Sequence, residues 1–199
     1  MSETLTDGRR LILASTSPFR RELLTRLGLP FTTQAPDTDE TRLPGEDASV
    51  LVGRLAEWKA RRVAGREPAA LVIGSDQVAV LNGTILGKPG DHSRAVEQLQ
   101  QASGCSVIFY TGLCLLDSAS GHCQITVEPF QVVFRTLTGE MIEHYLQREQ
   151  PYHCAGSFKS EGLGIALFER LEGDDPTSLI GLPLIRLVQM LEAAGVAVL

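Results

Sequence analysis

No apolar run in this chain reaches the roughly 18 residues that a membrane-spanning helix needs, so no membrane partner is expected. Met1 to Arg10 is polar and lacks the apolar segment of a secretory leader. Residues 1–9 therefore read as a flexible tail rather than a signal peptide, and the expected localisation is cytoplasmic. Blocks of like charge are also absent: 18 Lys and Arg against 24 Asp and Glu give a net charge of -6 without clustering. That argues against a nucleic-acid partner or an anionic-membrane surface, but leaves room for a small anion held by a few convergent cations. The four cysteines, Cys105, Cys114, Cys123 and Cys154, form no C-x-x-C pair and no zinc spacing with histidine. Free, buried thiols in a reducing compartment are the expectation. There are no internal repeats and no low-complexity segment.

What is present fits a soluble globular protein. Hydrophobic residues make up 43% and charged residues 21% of 199 positions. A chain of this length needs no staple to bury a core, and residues 10–199 are expected to form a single domain. Leu11 to Ala14 is a short apolar run that reads as a buried strand. Ser17 and Pro18 then open a helix, as cap and first position, and Gly28 closes it. Phe31 to Gln34 suggests a short strand. The pattern predicts a helix over 46–65, with Val50, Leu51, Leu55 and Trp58 on or near one stripe. Leu71 to Gly74 reads as a second buried strand leading into Ser75-Asp76-Gln77. Asn82-Gly83 marks a hairpin within 78–86. Helices are predicted over 92–102 and 139–149. Cys105 to Leu116 and Gln124 to Phe134 read as an antiparallel pair. Gly164 to Leu171 is predicted as a strand. A helix capped by Asp175 is predicted from Pro176 to Ala194, with a bend at Pro183, and Val196 to Leu199 as a last strand. βα units together with long antiparallel strands imply an α/β fold with a mixed sheet.

Several residue sets carry chemistry. The turn at Ser15 to Arg20 joins a strand to a helix N-terminus, where unpaired N–H groups and the positive dipole end attract phosphate. Ser15 and Ser17 add hydroxyls, and Arg20 offers a forked cation, while Arg21 points elsewhere along the helix. Asp37, Asp39 and Glu40 put three carboxylates in four positions, an oxygen-rich set suited to Mg²⁺ or Mn²⁺. Asp76 stands at the exit of a buried strand, where open α/β sheets place ligands, and Gln77 can bond a base or help hold the site. Lys88 lies in a stiff Gly-Lys-Pro loop. Lys59 either serves the site or snorkels at a core edge. In Ser157 to Gly162, Phe158 can stack on a base and Glu161 can accept from the donor edge of guanine. Each set also has a plain structural reading; together they point to metal-assisted phosphate chemistry.

In order, these motifs resemble the Maf family. They are Leu11-Ile12-Leu13-Ala14-Ser15-x-Ser17-Pro18-x-Arg20-x-x-Leu23-Leu24, Asp39-Glu40-Thr41, Leu55-Ala56-x-x-Lys59-Ala60, Ile73-Gly74-Ser75-Asp76, Gly87-Lys88-Pro89 and Glu161-Gly162. The resemblance runs from about residue 10 to about 193. It implies a nucleotide pyrophosphatase that uses a divalent cation, Mg²⁺ or Mn²⁺, on an elongated mixed sheet with two lobes about a cleft, similar also to inosine triphosphate pyrophosphatases. By matching motif, Asp76 takes the general-base position and Ser15, Arg20, Lys59 and Lys88 the phosphate contacts. Glu40 and Asp76 take the metal positions. Phe19, Gln77 and Glu161 resemble the 7-methyl-GTP subgroup rather than the dTTP/UTP one, although Phe19 stands where Trp is expected. The resemblance, and nothing else in the sequence, suggests a homodimer. Rival readings are a dTTP/UTP pyrophosphatase and a non-catalytic regulator of septation and division.

Overall fold

The computed structural model describes residues 4–199. Residues 1–3 of the expected tail lie outside that range. Within the rest of it, Leu5 is buried against the core, and Arg9 donates to Asp7 and to the Ala194 carbonyl.

A seven-stranded mixed sheet organises the chain. β1 (Arg10–Leu13) lies parallel to β2 (Thr32–Thr33) and to β3 (Ala70–Leu81). β3 turns at Asn82-Gly83 into β4 (Thr84–Leu86). On its other edge, β3 pairs antiparallel with β5 (Ser106–Asp117) along its whole length from Leu71 to Leu81. β6 (Cys123–Phe134) and β7 (Phe168–Glu172) extend the sheet, giving the order β2-β1-β3-β5-β6-β7. The helices are α1 (Pro18–Thr25), α2 (Ala48–Ala64), α3 (His92–Ala102), α4 (Gly139–Glu149) and α5 (Leu184–Ala193).

The long strands serve two cores. One half of a sheet face, with Leu71, Ile73, Leu113 and Leu115, packs with residues of α1 and α5. The other half, with Ala79, Leu81, Val107 and Phe109, packs with residues of α3 and α4. Between them that face is polar, because Ser75, Gln77, Thr111 and Glu128 occupy the middle of β3, β5 and β6. The opposite face receives α2, which lies so low that two glycines are required beneath it. A Cβ at Gly74 would stand 2.0 Å from the Ala56 carbonyl oxygen, and one at Gly112 2.1 Å from that of Val52.

Several expectations need correction. β3 is one continuous strand, so Asp76 sits mid-strand rather than at a strand end. It is nevertheless at an opening in the sheet: on that edge of β3, β1 pairs residues 70–73 and β4 pairs 79–81, and 74–78 have no neighbouring strand. The apolar stripe of α2 is Leu51, Val52, Leu55, Ala56, Ala60 and Val63, while Val50 and Trp58 face outward. Trp58 carries the Arg54 guanidinium 4.8 Å over its ring instead. The predicted strand from Gly164 is a 3₁₀ turn (Leu163–Leu167) before β7 begins.

The predicted helix from Pro176 is broken. A short turn at Ser178–Ile180 ends at Gly181 with φ of 120°, and α5 starts only after Pro183. Asp175 caps both pieces, because its carboxylate accepts from the amides of Thr177 and Ile185. Val196 to Leu199 forms no strand. All four cysteines are free, but only Cys114 is fully buried. No helix among the described residues is long and apolar enough to cross a membrane.

Candidate active site

The gap in the sheet opens into a cleft of about 1020 Å³ between the two cores. Its floor carries a three-membered charge cluster. Lys59, one turn from the α2 backbone that rests on Gly74, directs Nζ to Asp76 Oδ1 at 2.6 Å and to Glu40 Oε1 at 2.6 Å. Lys59 is 5% exposed and Asp76 8%, whereas the Glu40 side chain is 59% exposed. Lys59 therefore does not snorkel; its charge is buried and paired. Burial pushes the Glu40 carboxyl up, but the Lys59 hydrogen bond and the nearby charges of Lys88 and Arg20 more than offset this and hold it below its ordinary value. The other two carboxylates of that loop go elsewhere. Asp37 faces Arg66 at 3.8 Å and Asp39 accepts from Thr41, so only Glu40 reaches the cluster.

The N-terminus of α1 forms one wall. Ser17 Oγ accepts from the Arg20 amide, and Ser15 Oγ from the Ser17 amide. Arg20 points into the cleft and Arg21 is exposed outside it, as the helical spacing requires. Arg20 Nε donates to the Gly181 carbonyl at 2.8 Å, which fixes the orientation of the guanidinium. Burial lowers the Arg20 pKa, with Asp76 and Glu40 opposing. Lys88 lines the opposite wall, exposed and without a hydrogen bond or ion pair among the described residues. Ser15, Ser17, Arg20, Glu40, Lys59, Asp76 and Lys88 thus all border one cleft.

The base-reading residues are less uniform. Phe19 is half-buried on the cleft wall and Glu161 is exposed on it. Phe158, which could stack on a base or anchor its loop, borders the cleft but packs chiefly as a core residue. It is 5% exposed and meets Phe109, Phe134 and Phe168 edge-on, with ring centroids at 5.3, 5.5 and 4.9 Å. Gln77 faces the polar side of β3, because successive strand residues alternate faces. Its amide nitrogen approaches the Ser178 and Leu179 carbonyls at 2.7 and 3.1 Å and Thr111 Oγ1 at 2.9 Å. Gln77 thus holds the site rather than presenting its amino group to a base.

Sequence reasoning missed what Gln77 holds. Ser75 Oγ donates to the Gly181 carbonyl and Thr111 Oγ1 to that of Ser178, so the turn at 178–181 is pinned to the sheet. It places Leu179 and Ile180 on the cleft wall. Gly74 and Gly112 were missed too, although an isolated glycine inside a strand pattern signals close backbone approach. Glu149 is a third omission. Its carboxylate accepts from the Leu163 amide at 2.7 Å and from Lys159 Nζ at 3.4 Å, clamping the turn that carries Glu161.

No group of three or more His, Cys, Asp or Glu among the described residues converges as a ready metal cage. The two carboxylates that do converge still suit a hard cation. Mg²⁺ is commonly held by only one or two carboxylates, with water and substrate phosphates completing the shell.

Comparison with known proteins places the chain among characterised sequences. The family model of Maf-like proteins matches residues 10–194. A protein of Nitrosococcus oceani named 7-methyl-GTP pyrophosphatase is 64% identical over 189 residues, 95% of each chain. One of Pseudomonas fluorescens Pf-5 with the same name is 61% identical over 186 residues, 94% of this chain and 97% of its own. The Staphylococcus aureus Ham1 protein structure matches at a TM-score of 0.43 and 12% identity over 62% of this chain and 71% of that one, too distant to bear on fold or function.

Proposed function

Because the chain belongs to the Maf family, and because Lys59, Glu40 and Asp76 meet at the foot of a cation-lined cleft, we propose that it is a nucleoside triphosphate pyrophosphatase. Its substrate is 7-methyl-GTP, hydrolysed to 7-methyl-GMP and pyrophosphate. The observation that carries the reading is the buried Lys59–Asp76 pair with Glu40 beside it. It supplies a carboxylate next to fixed positive charge, in a cleft large enough for a nucleotide.

In this mechanism the triphosphate lies along the wall formed by the α1 N-terminus, where Ser15, Ser17 and the helix dipole favour anionic oxygen. Arg20, Lys59 and Lys88 neutralise the charge that develops on the leaving pyrophosphate. Asp76 orients a water and takes its proton as the water oxygen bonds to the α-phosphorus. The bond from the α-phosphorus to the bridging oxygen breaks, and pyrophosphate leaves with the electron pair. Glu40 and Asp76 would hold a Mg²⁺ or Mn²⁺ ion, whose chemistry there is to screen phosphate charge. Preorganised charge of this kind is typically the largest single contribution to such a reaction.

Phe19 and Glu161 support the choice of base. Methylation at N7 gives the guanine ring a delocalised positive charge. A ring stacked on Phe19 would gain about 0.5–2 kcal/mol. Glu161 would complement both that charge and the N1–H and N2 donors. The relatives named 7-methyl-GTP pyrophosphatase point the same way. The test is pyrophosphate release with Mg²⁺ or Mn²⁺ from 7-methyl-GTP, GTP, dTTP, UTP and ITP. Preference for 7-methyl-GTP is expected. Preference for dTTP and UTP would discard the role given to Phe19 and Glu161, and no release from any nucleotide would discard the reaction.

A further inference from the structure

Lys59 is placed unlike the other cations of the cleft. Arg20 donates to the Gly181 carbonyl and Lys88 is exposed, but Lys59, 5% exposed, is buried between two carboxylates. Its ammonium fills the point where Glu40 and Asp76, carboxylates from different elements, meet, 2.6 Å from each. Glu40 comes from a loop and Asp76 from β3, and nothing else bonds the one to the other. Without a cation between them, two carboxylates this close would repel. The Lys59 backbone is fixed, because α2 rests on Gly74 and Gly112. Its four-carbon stem is not, and it can carry the ammonium several ångström toward the opening.

Under the function proposed above, Glu40 and Asp76 hold a divalent cation. An ammonium at that point and a metal ion held by the same two oxygens exclude one another. We infer that Lys59 is the resident counter-ion of the metal-free site and exchanges with the metal. Lys59 leaves Glu40 and Asp76 when the divalent cation arrives, and its ammonium passes to a phosphate oxygen of the nucleotide. No covalent bond changes. Two consequences follow. Lys59 keeps the carboxylates assembled in the free protein, and it opposes metal binding until a phosphate offers the ammonium a new partner. Metal and nucleotide then bind with positive coupling, a factor usually of ~5–150 between linked sites.

The probe is Mn²⁺ alone, with binding to the full chain read from water-proton relaxation. Lys59→Met should bind Mn²⁺ about tenfold or more tightly than the wild type, within the usual range for coupled sites. Lys88→Met is the control for simple charge removal, since Lys88 also acts on Glu40 without occupying the shared point. It should change the affinity by no more than about threefold for an exposed, screened charge. The second readout is acylation of lysines followed by mass spectrometry on the wild type. Lys59 should be protected in the free protein and labelled once Mn²⁺ saturates. Equal or weaker Mn²⁺ binding by Lys59→Met, an equal gain in Lys88→Met, or continued protection of Lys59 would overturn the exchange and leave the metal site standing. Absence of Mn²⁺ binding by all three proteins would overturn both. If Lys59→Met does not fold, the labelling of the wild type decides alone.

Discussion

A single methyl group at Gly74 should uncouple the fold from the site. A Cβ there would lie 2.0 Å from the Ala56 carbonyl oxygen and 2.9 Å from the Ala60 amide nitrogen, against a practical limit of 3.0 Å. Both neighbours are backbone atoms in the middle of α2, so neither can rotate aside. Gly74→Ala therefore lifts the helix by about 1 Å, while Gly112 still lets it touch the sheet at Val52. Overpacking of this kind costs roughly 1–3 kcal/mol. For a chain of this size that lowers Tm by about 2–12 °C. The larger effect is on chemistry. Lys59 sits three residues from Ala56 and beside Ala60, so it rises with them, and its 2.6 Å contact to Asp76 opens. A displacement near 1 Å can cost ~10²-fold in rate.

Calorimetry and pyrophosphate release from 7-methyl-GTP measure the two effects separately. Gly53→Ala is the matched control. Its Cβ would meet only Val127 Cγ2 at 3.4 Å, and replacing a mid-helix glycine with alanine stabilises by roughly 0.5–1 kcal/mol. That variant should melt at or above the wild-type temperature and keep its rate. If Gly74→Ala melted and turned over like the wild type, the claim that close seating of α2 positions Lys59 would be wrong.

Other outcomes follow from the same geometry. Asp76→Asn should reduce pyrophosphate release by ~10²–10³-fold. Its melting temperature should stay within a few degrees of wild type, and wild-type turnover would remove Asp76 from the mechanism. Chelation by EDTA should stop turnover and leave the far-ultraviolet circular dichroism unchanged; activity that survives exhaustive chelation would contradict the metal. Phe158→Ala should destabilise by about 3–5 kcal/mol, because it empties the centre of a four-ring cluster; a loss of base affinity at unchanged stability would instead restore it as a stacking residue. Glu46 offers a test by pH. The Arg54 hydrogen bond holds its carboxyl at about 2 instead of 4.5. A depressed folded-state pKa contributes stability above the unfolded value, and that contribution is lost as pH falls from about 4.5 toward 2. Glu46→Gln should flatten the acid limb of the stability curve over that window, and a parallel curve would show that the Arg54 pair is not its source.

Which parts of this protein were legible in its sequence depended on the range of the interactions that form them. The cap at Ser17, the Asn82-Gly83 turn and the helices α3 and α4 are local events, and the residues that encode them lie within a few positions of each other. Helix α5 was misread, and the two roles open to Phe158 could not be told apart, because distant partners decide both. Asp175 caps a helix ten residues away, and Phe158 joins rings from β5, β6 and β7. The Lys59 cluster is longer in range still, joining a loop, a helix and a strand, and only the order of family motifs pointed to it. Gln77 is different: its two readings, bonding a base or holding the site, could have been separated, because the signal was present. Reading Ser75-Asp76-Gln77 as a turn after the strand makes the two side chains neighbours in one site. As a strand, the same triplet must send Asp76 and Gln77 to opposite faces. The continuous apolar run on both sides of the triplet, Leu71 to Ile73 and Val78 to Leu81, is what a strand buried on both faces requires. The alternation then assigns the work: Asp76 meets Lys59 under α2, while Ser75 and Gln77 grip the turn at 178–181 on the other side. One strand thus fixes the charge cluster and one wall of the cleft at once, so a change at Gln77 should shift Leu179 and Ile180 on that wall and leave the Lys59–Asp76 pair untouched.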